Sequence, residues 1–206
     1  MTRGTYGMIP QASIGIAAAL LSLVPSVFYL LAIAKGETKP DRVTWWVLAL
    51  SSLMISSTDW AAGAHNTVWL PIAYCFGFLA VAVASLRYGE GATRLHALDR
   101  VCLGGVVIGA GLWWRLRSPA TGLFVVMGVE FLGLIPTIVK SYLRPWTEDR
   151  RAWCIAALAS LLNLFALDSW STPPAAYAVY VALTNAFVAG LLLRPRDARQ
   201  SRVEQA

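Results

Sequence analysis

The sequence predicts an all-α polytopic integral membrane protein with seven transmembrane helices. Three observations predict it: a chain-wide deficit of charge, seven long apolar runs, and basic residues confined to every second connection. Of the 206 residues, 57% are hydrophobic and only 14% charged, with mean hydropathy +0.59. A soluble domain carries about 25% charged residues. The shortfall extends along the whole chain, so 1–206 reads as one transmembrane domain.

The apolar runs fall near residues 10–34, 43–63, 67–87, 98–116, 119–142, 152–171 and 174–193. About 20 such residues cross roughly 30 Å of hydrocarbon as a helix. Inside a bilayer the backbone must satisfy its own hydrogen bonds, which leaves helices or a closed barrel. These runs are too long and too continuous for barrel strands.

Charge then sets the orientation. Lys35, Lys39 and Arg42 follow the first run. Arg87, Arg94 and Arg100 follow the third, and Lys140, Arg144, Arg150 and Arg151 surround the end of the fifth. Arg194, Arg196, Arg199 and Arg202 lie in the tail, 194–206. With seven spans all of these share one side, while Arg3, Arg115 and Arg117 lie on the other. The positive-inside rule places the N-terminus outside and the C-terminus in the cytoplasm of a multi-pass cell-membrane protein. It also accounts for the net charge of +6, so no nucleic-acid partner is implied. The lipid bilayer is the expected surrounding, and the sequence leaves the oligomeric state open.

The fourth run is short and glycine-rich. Gly105 and Gly109 form a GxxxG, which lets helices approach closely and here suits packing within the chain better than dimerisation. Of the nine tryptophans, Trp45, Trp46, Trp69, Trp113, Trp114, Trp146 and Trp170 suit interfacial belts. Cys75, Cys102 and Cys154 are scattered among apolar residues, with no disulfide or zinc pattern. His65 and His96 fall in or near loops. No nucleotide, metalloprotease or nucleophile-elbow motif is present, no metal or other cofactor is implied, and the last helix has no lysine to hold retinal.

An internal repeat is legible. LSLVPSVFYLLAIAKGETKP in the first run matches FLGLIPTIVKSYLRP in the fifth. The hinge prolines Pro25 and Pro136 each precede a small hydroxyl residue, Ser26 or Thr137. Next come TWWVLALSSLMISSTDW and AWCIAALASLLNLFALDSW, both ending in an aspartate close to a tryptophan. The chain thus reads as repeat one (10–87), a linker helix (98–116) and repeat two (119–193). Parallel three-helix repeats of this kind frame a central site.

This layout resembles the PQ-loop and SWEET superfamily. Pro25 and Pro136 match its kinking proline, Ser26 and Thr137 stand where its glutamine does, and Asn185 matches a solute-contacting residue type. Each proline removes a helical hydrogen bond and bends its helix, or merely shapes the bundle.

Three acids lie inside the expected spans: Asp59, Glu130 and Asp168. A charge at the centre of a membrane helix costs about 2.5–3.5 kcal/mol on insertion scales, so such acids face the bundle interior and mark a site or pathway. Without a nearby base, at least one of them is expected to be a neutral acid near neutral pH. The structural alternative is that the aspartates cap backbone groups near the interface and Glu130 joins helices by a hydrogen bond. Ser52, Ser56 and Asp59 share a helix face. Asn163 precedes Asp168, and Tyr177, Tyr180, Thr184 and Asn185 stripe the last helix. Trp60 and Trp170 neighbour the two aspartates, and aromatic faces stabilise cations.

Two functions fit. The first is a metal-independent terpene cyclase, in which a protonated Asp59, Glu130 or Asp168 starts carbocation cyclisation of a lipophilic prenylated small-molecule substrate. Trp60, Trp170, Asn163, Tyr177, Tyr180, Thr184 and Asn185 would line its pocket. Asp59–Trp60 is similar to the membrane-embedded acid beside a tryptophan near the end of helix two in the small seven-helix integral-membrane terpene cyclases. In that family the acid follows the tryptophan and the second acid lies on the last helix, so the resemblance implies chemistry rather than register. The second is a small-solute transporter, proton-coupled through the same acids, with its site between the repeats.

Overall fold

The computed structural model describes residues 11–36, 40, 42–89, 97–143, 145, 148–167, 169–170 and 174–194. They form seven helices: α1 (Gln11–Ala34), α2 (Arg42–Ala61), α3 (Trp69–Tyr88), α4 (Ala97–Leu116), α5 (Pro119–Leu143), α6 (Arg150–Leu164) and α7 (Pro174–Leu193). There are no strands among the described residues.

Four of the helices are long and apolar enough to cross a membrane: α1, α3, α5 and the Ala175–Leu193 part of α7. The expectation of seven comparable spans is therefore met unevenly. α2 is long enough but carries Ser51, Ser52, Ser56, Ser57, Thr58 and Asp59, and the apolar part of α4 is only Leu103–Leu116. α6 has only 15 residues.

The end of α6 corrects the sequence reading. The apolar run continues to about residue 171, but the helix stops at Leu164. The amides of Phe165, Ala166 and Leu167 each donate to the carbonyl three residues back, tightening the last turn until the helix closes. Asp168 falls outside the described residues. Asp59, its counterpart in the repeat, sits inside α2.

Each long-range seam has a local cause. α3 packs against both α1 and α2, and α7 against both α5 and α6. α1 meets α6 and α2 meets α5, which closes a ring in the order α1, α3, α2, α5, α7, α6. α4 lies outside the ring against α5 and α2. Small residues allow the close seams: a side chain at Gly77 of α3 would collide with Ser26 of α1, and one at Gly105 of α4 with Val129 of α5. A Cβ at Gly109 would come within 3.2–3.3 Å of Val125, Val126 and Met54, so the GxxxG serves packing within the chain.

The centre of the ring is apolar where it is widest in contact. Ala18, Met54, Ile55, Leu70, Tyr74, Leu123, Val126, Ala159, Tyr177 and Val181 form its main cluster. Outside, Leu20, Leu53, Phe76, Leu86, Val107 and Leu183 are exposed on a surface too apolar for water, as a lipid-facing mantle requires. Trp45 and Trp113 pack into the bundle. Trp45 is half-buried between Tyr29 at 4.7 Å and Phe78 at 5.8 Å, and Trp113 packs on the central cluster.

Two arginines fasten helix ends on the basic side. The Arg42 guanidinium donates to the carbonyls of Ser85 (3.0 Å), Leu86 (3.3 Å) and Gly89 (3.2 Å), tying the start of α2 to the end of α3. Arg194 donates to the carbonyls of Leu191 (3.0 Å) and Tyr142 (2.9 Å) and lies over the Tyr142 ring, tying α7 to α5. Both donate to carbonyls of the last turn, where a helix leaves most carbonyls without partners and a cation is favoured.

Candidate functional site

α2 brings the polar face into the ring. Ser51, Ser52, Ser56, Thr58 and Asp59 are all buried, so the face shared by Ser52, Ser56 and Asp59 points inward as their spacing requires. Ser56 and Thr58 spend their hydroxyls on carbonyls one turn back, Ser52 and Met54, which makes a polar helix tolerable in hydrocarbon. Asp59 has no such outlet. Its side chain is 1% exposed, and Oδ1 has no hydrogen-bond partner.

The connection after α2 folds back over this end of the ring. The Asp59 carbonyl accepts from the amides of Ala62 (3.1 Å) and Ala64 (3.0 Å). Ala64, Thr67 and Val68 are buried, and a side chain at Gly15 of α1 would strike the Asn66 carbonyl. From α6, Asn163 donates through Nδ2 to the Thr67 carbonyl at 3.3 Å. A carbonyl can only accept, so this bond fixes which end of the amide faces Thr67. Asn163 Oδ1 is left buried and without a partner.

Deeper in the ring, Asn185 of α7 is 9% exposed and bridges three helices. Its Nδ2 donates to the Tyr74 hydroxyl of α3 (3.2 Å), to Ser160 Oγ of α6 (3.3 Å) and, at 3.5 Å, to the Ala156 carbonyl. Tyr74 stacks on Phe78 at 5.4 Å. Tyr177 is 2% exposed, with its ring 6.3 Å from that of Tyr180. Glu130 of α5 is half-buried. The interior of the bundle thus holds Asp59, Asn163, Tyr177 and Asn185, with Glu130 and Tyr180 half-buried.

Other expected residues do not join it. Trp60 is 55% exposed and Trp170 72% exposed, so neither indole walls this interior. Consecutive helical residues point about 100° apart, which turns Trp60 outward when Asp59 turns inward. Its ring meets His65 edge-on at 5.1 Å. Thr184 donates to the carbonyls of Tyr180 (2.9 Å) and Val181 (3.2 Å) of its own helix and lines an outer groove. α1 runs helically through Pro25, and α5 spans Pro136, whose side chain lies outside what is described.

Sequence reasoning does not reach two of these residues, Tyr74 and Ser160, the side-chain partners of Asn185 on α3 and α6. The available signal was a lone phenol in an otherwise apolar run.

Two open grooves lie at the bundle surface. One, of about 570 Å³, is lined by Phe131, Ile135, Ile138, Val139, Leu183, Thr184 and Phe187. The other, of about 380 Å³, is lined by Ser56, Ser57, Trp60 and Ile72. Neither is lined by an acid. Among the described residues, no three His, Cys, Asp or Glu side chains gather where a metal ion could be held. No protein-family model, curated protein or solved structure compared with this chain matches it.

Proposed function

We propose that this chain is a small-solute carrier of the cell membrane, built as two three-helix units of like packing around an interior in which Asp59, Asn163 and Asn185 are buried among apolar side chains. Its basic ends face the cytoplasm, and all seven helices take part in spanning. The observation that carries the reading is the packing order. In each triplet the third helix lies between the first and second, and the triplets meet chiefly along α1·α6 and α2·α5. A ring made of two such bodies has two seams, and parting them in turn admits solute from one side and then the other. The arginine fastenings fit this division, because Arg42 joins helices within one triplet and Arg194 joins helices within the other. The buried Asp59 and the half-buried Glu130 would face the pathway, where intramembrane acids serve binding or proton coupling.

The test reads the seams without needing the solute. After replacement of the native cysteines, spin labels go on exposed pairs across α1·α6: Lys35 with Arg151 at the basic end, and Ala12 with Phe165 at the other. In nanodiscs each pair should show two distance populations, one long where the other is short. A single narrow distance at both pairs between pH 5 and pH 8 would sink the carrier.

The cyclase reading keeps one supporting observation, the buried carboxyl of Asp59. It lacks the aromatic wall that Trp60 and Trp170 were expected to provide. Membranes that cyclise a prenylated epoxide, and lose the product with Asp59→Asn, would restore it.

A further inference from the structure

The larger outer groove, of about 570 Å³, lies between α5 and α7, two of the helices long and apolar enough to cross a membrane. The stripes that line it run on in one register. Phe131, Ile135, Ile138 and Tyr142 follow one another on α5 at steps of four, three and four residues, and Leu183, Phe187, Gly190 and Arg194 do the same along α7 and its end. Such spacing keeps each stripe on one helix face. The last pair is in contact: the Arg194 guanidinium donates to the Tyr142 carbonyl at 2.9 Å and lies 4.5 Å from the centre of its ring. Gly190 is exposed, and a Cβ there would meet nothing within 4 Å, so α7 sets no side chain on this face between Phe187 and Arg194. The stripe from Phe131 to Tyr142 is about 16 Å long at about 1.5 Å per residue, close to half of the roughly 30 Å hydrocarbon core.

We infer that the groove between α5 and α7 holds an acyl chain of one anionic phospholipid, whose phosphate sits against Arg194. The groove fits a chain because its walls are aliphatic and aromatic, and Thr184 spends its hydroxyl on its own helix. Its length is that of one leaflet, and Phe131, Leu183 and Phe187 are exposed along it. Its end fits a phosphate because Arg194 is already fixed there, by the carbonyls of Leu191 and Tyr142 and by the Tyr142 ring. A guanidinium carries five N–H groups, so these two bonds leave three for other oxygens, in a planar fork that matches phosphate. A side chain held in advance has little rotamer freedom left to lose on binding. An anionic headgroup is favoured over a zwitterionic one because it brings no cation of its own to the basic side of the bundle. The site needs α5 and α7 to lie in a bilayer and does not depend on the carrier reading.

The test uses the full chain in detergent micelles that carry equal amounts of phosphatidylglycerol and phosphatidylcholine with identical acyl chains, and native mass spectrometry reads which lipid stays bound. The parent should retain one phosphatidylglycerol at least about fivefold in preference to phosphatidylcholine, the factor that corresponds to about 1 kcal/mol for one arginine. Arg194→Gln should erase the preference, and Arg194→Lys should keep part of it. Arg87→Gln removes the same charge from the other triplet and should leave it unchanged. Gly190→Leu fills the open face and should lower retention of both lipids, while the lipid-free variant melts as the parent does. This variant decides the matter if Arg194→Gln fails to fold. Glycerol 3-phosphate, a headgroup without chains, should not be retained. Equal retention of the two lipids by the parent overturns the inference. So does a preference that survives Arg194→Gln, one that falls as far with Arg87→Gln, or lipid held as well by Gly190→Leu as by the parent. Retention of glycerol 3-phosphate would make this a site for free phosphate esters and overturn the lipid.

Discussion

The side-chain amide of Asn185 donates to the hydroxyl of Tyr74 across 3.2 Å, joining α7 to α3. These are the middle helices of the two triplets, and they face each other across the ring without packing along their lengths. The bond therefore acts as a bolt through the interior and must break if the triplets part. Side-chain hydrogen bonds between membrane helices average about 0.6 kcal/mol and reach about 1.7 kcal/mol. Tyr74→Phe should lower thermal stability in detergent by that order. It should also shift the spin-label populations toward the open form. Unchanged populations would show that the bolt does not hold the ring shut.

The glycines of α4 make a sharper pair. Gly104 has open space around its Cα, whereas a side chain at Gly105 meets Val129. Alanine is the better helix former by about 1 kcal/mol, so Gly104→Ala should be neutral or stabilising. Gly105→Ala should cost about 1–3 kcal/mol by overpacking. Thermal unfolding of the two single variants separates them, and equal effects would mean that α4 does not pack as described.

Arg42 caps three carbonyls with one planar group. A lysine at this position presents a point charge and cannot reproduce the fork. Arg42→Lys should therefore lose most of what Arg42→Gln loses, about 1.5–3 kcal/mol for hydrogen bonds from a charged donor. Melting of both variants in detergent is the check, and full retention of stability by lysine would contradict the cap.

Trp60 and Trp170 are turned outward, so Trp60→Ala and Trp170→Ala should leave solute flux within about twofold of the parent, a change worth less than 0.5 kcal/mol, as at surface sites without a specific role. Flux in proteoliposomes measures this. A large loss in either would return the tryptophans to the site and strengthen the cyclase reading.

Much of the architecture was legible because a bilayer leaves so few choices. Helix ends for α1, α2, α3, α4, α5 and α7 fall within two residues of the apolar runs. Basic residues stop several of these runs, as Lys35, Arg117 and Arg194 do for α1, α4 and α7. α6 was misjudged because Phe165, Ala166 and Leu167 are apolar yet non-helical, and hydropathy cannot distinguish a buried turn from a buried helix. Within the site, the inward face of Ser52, Ser56 and Asp59 followed from helical spacing alone. The proposed roles of Trp60 and Trp170 rested on adjacency in sequence, which helix geometry works against.

The sequence by itself determined a helical chain dominated by apolar surface, because length and hydropathy decide whether a segment can satisfy its backbone in lipid. It also determined which few polar groups had to be accounted for inside. Only the tertiary structure decided which of them meet. Asn185 with Tyr74 and Asn163 with the Thr67 carbonyl are pairings between residues far apart in the chain. Such pairings depend on which helix faces which, and that is set by close side-chain fit at positions such as Gly77 and Gly105, for which no periodic pattern in one sequence carries a signal.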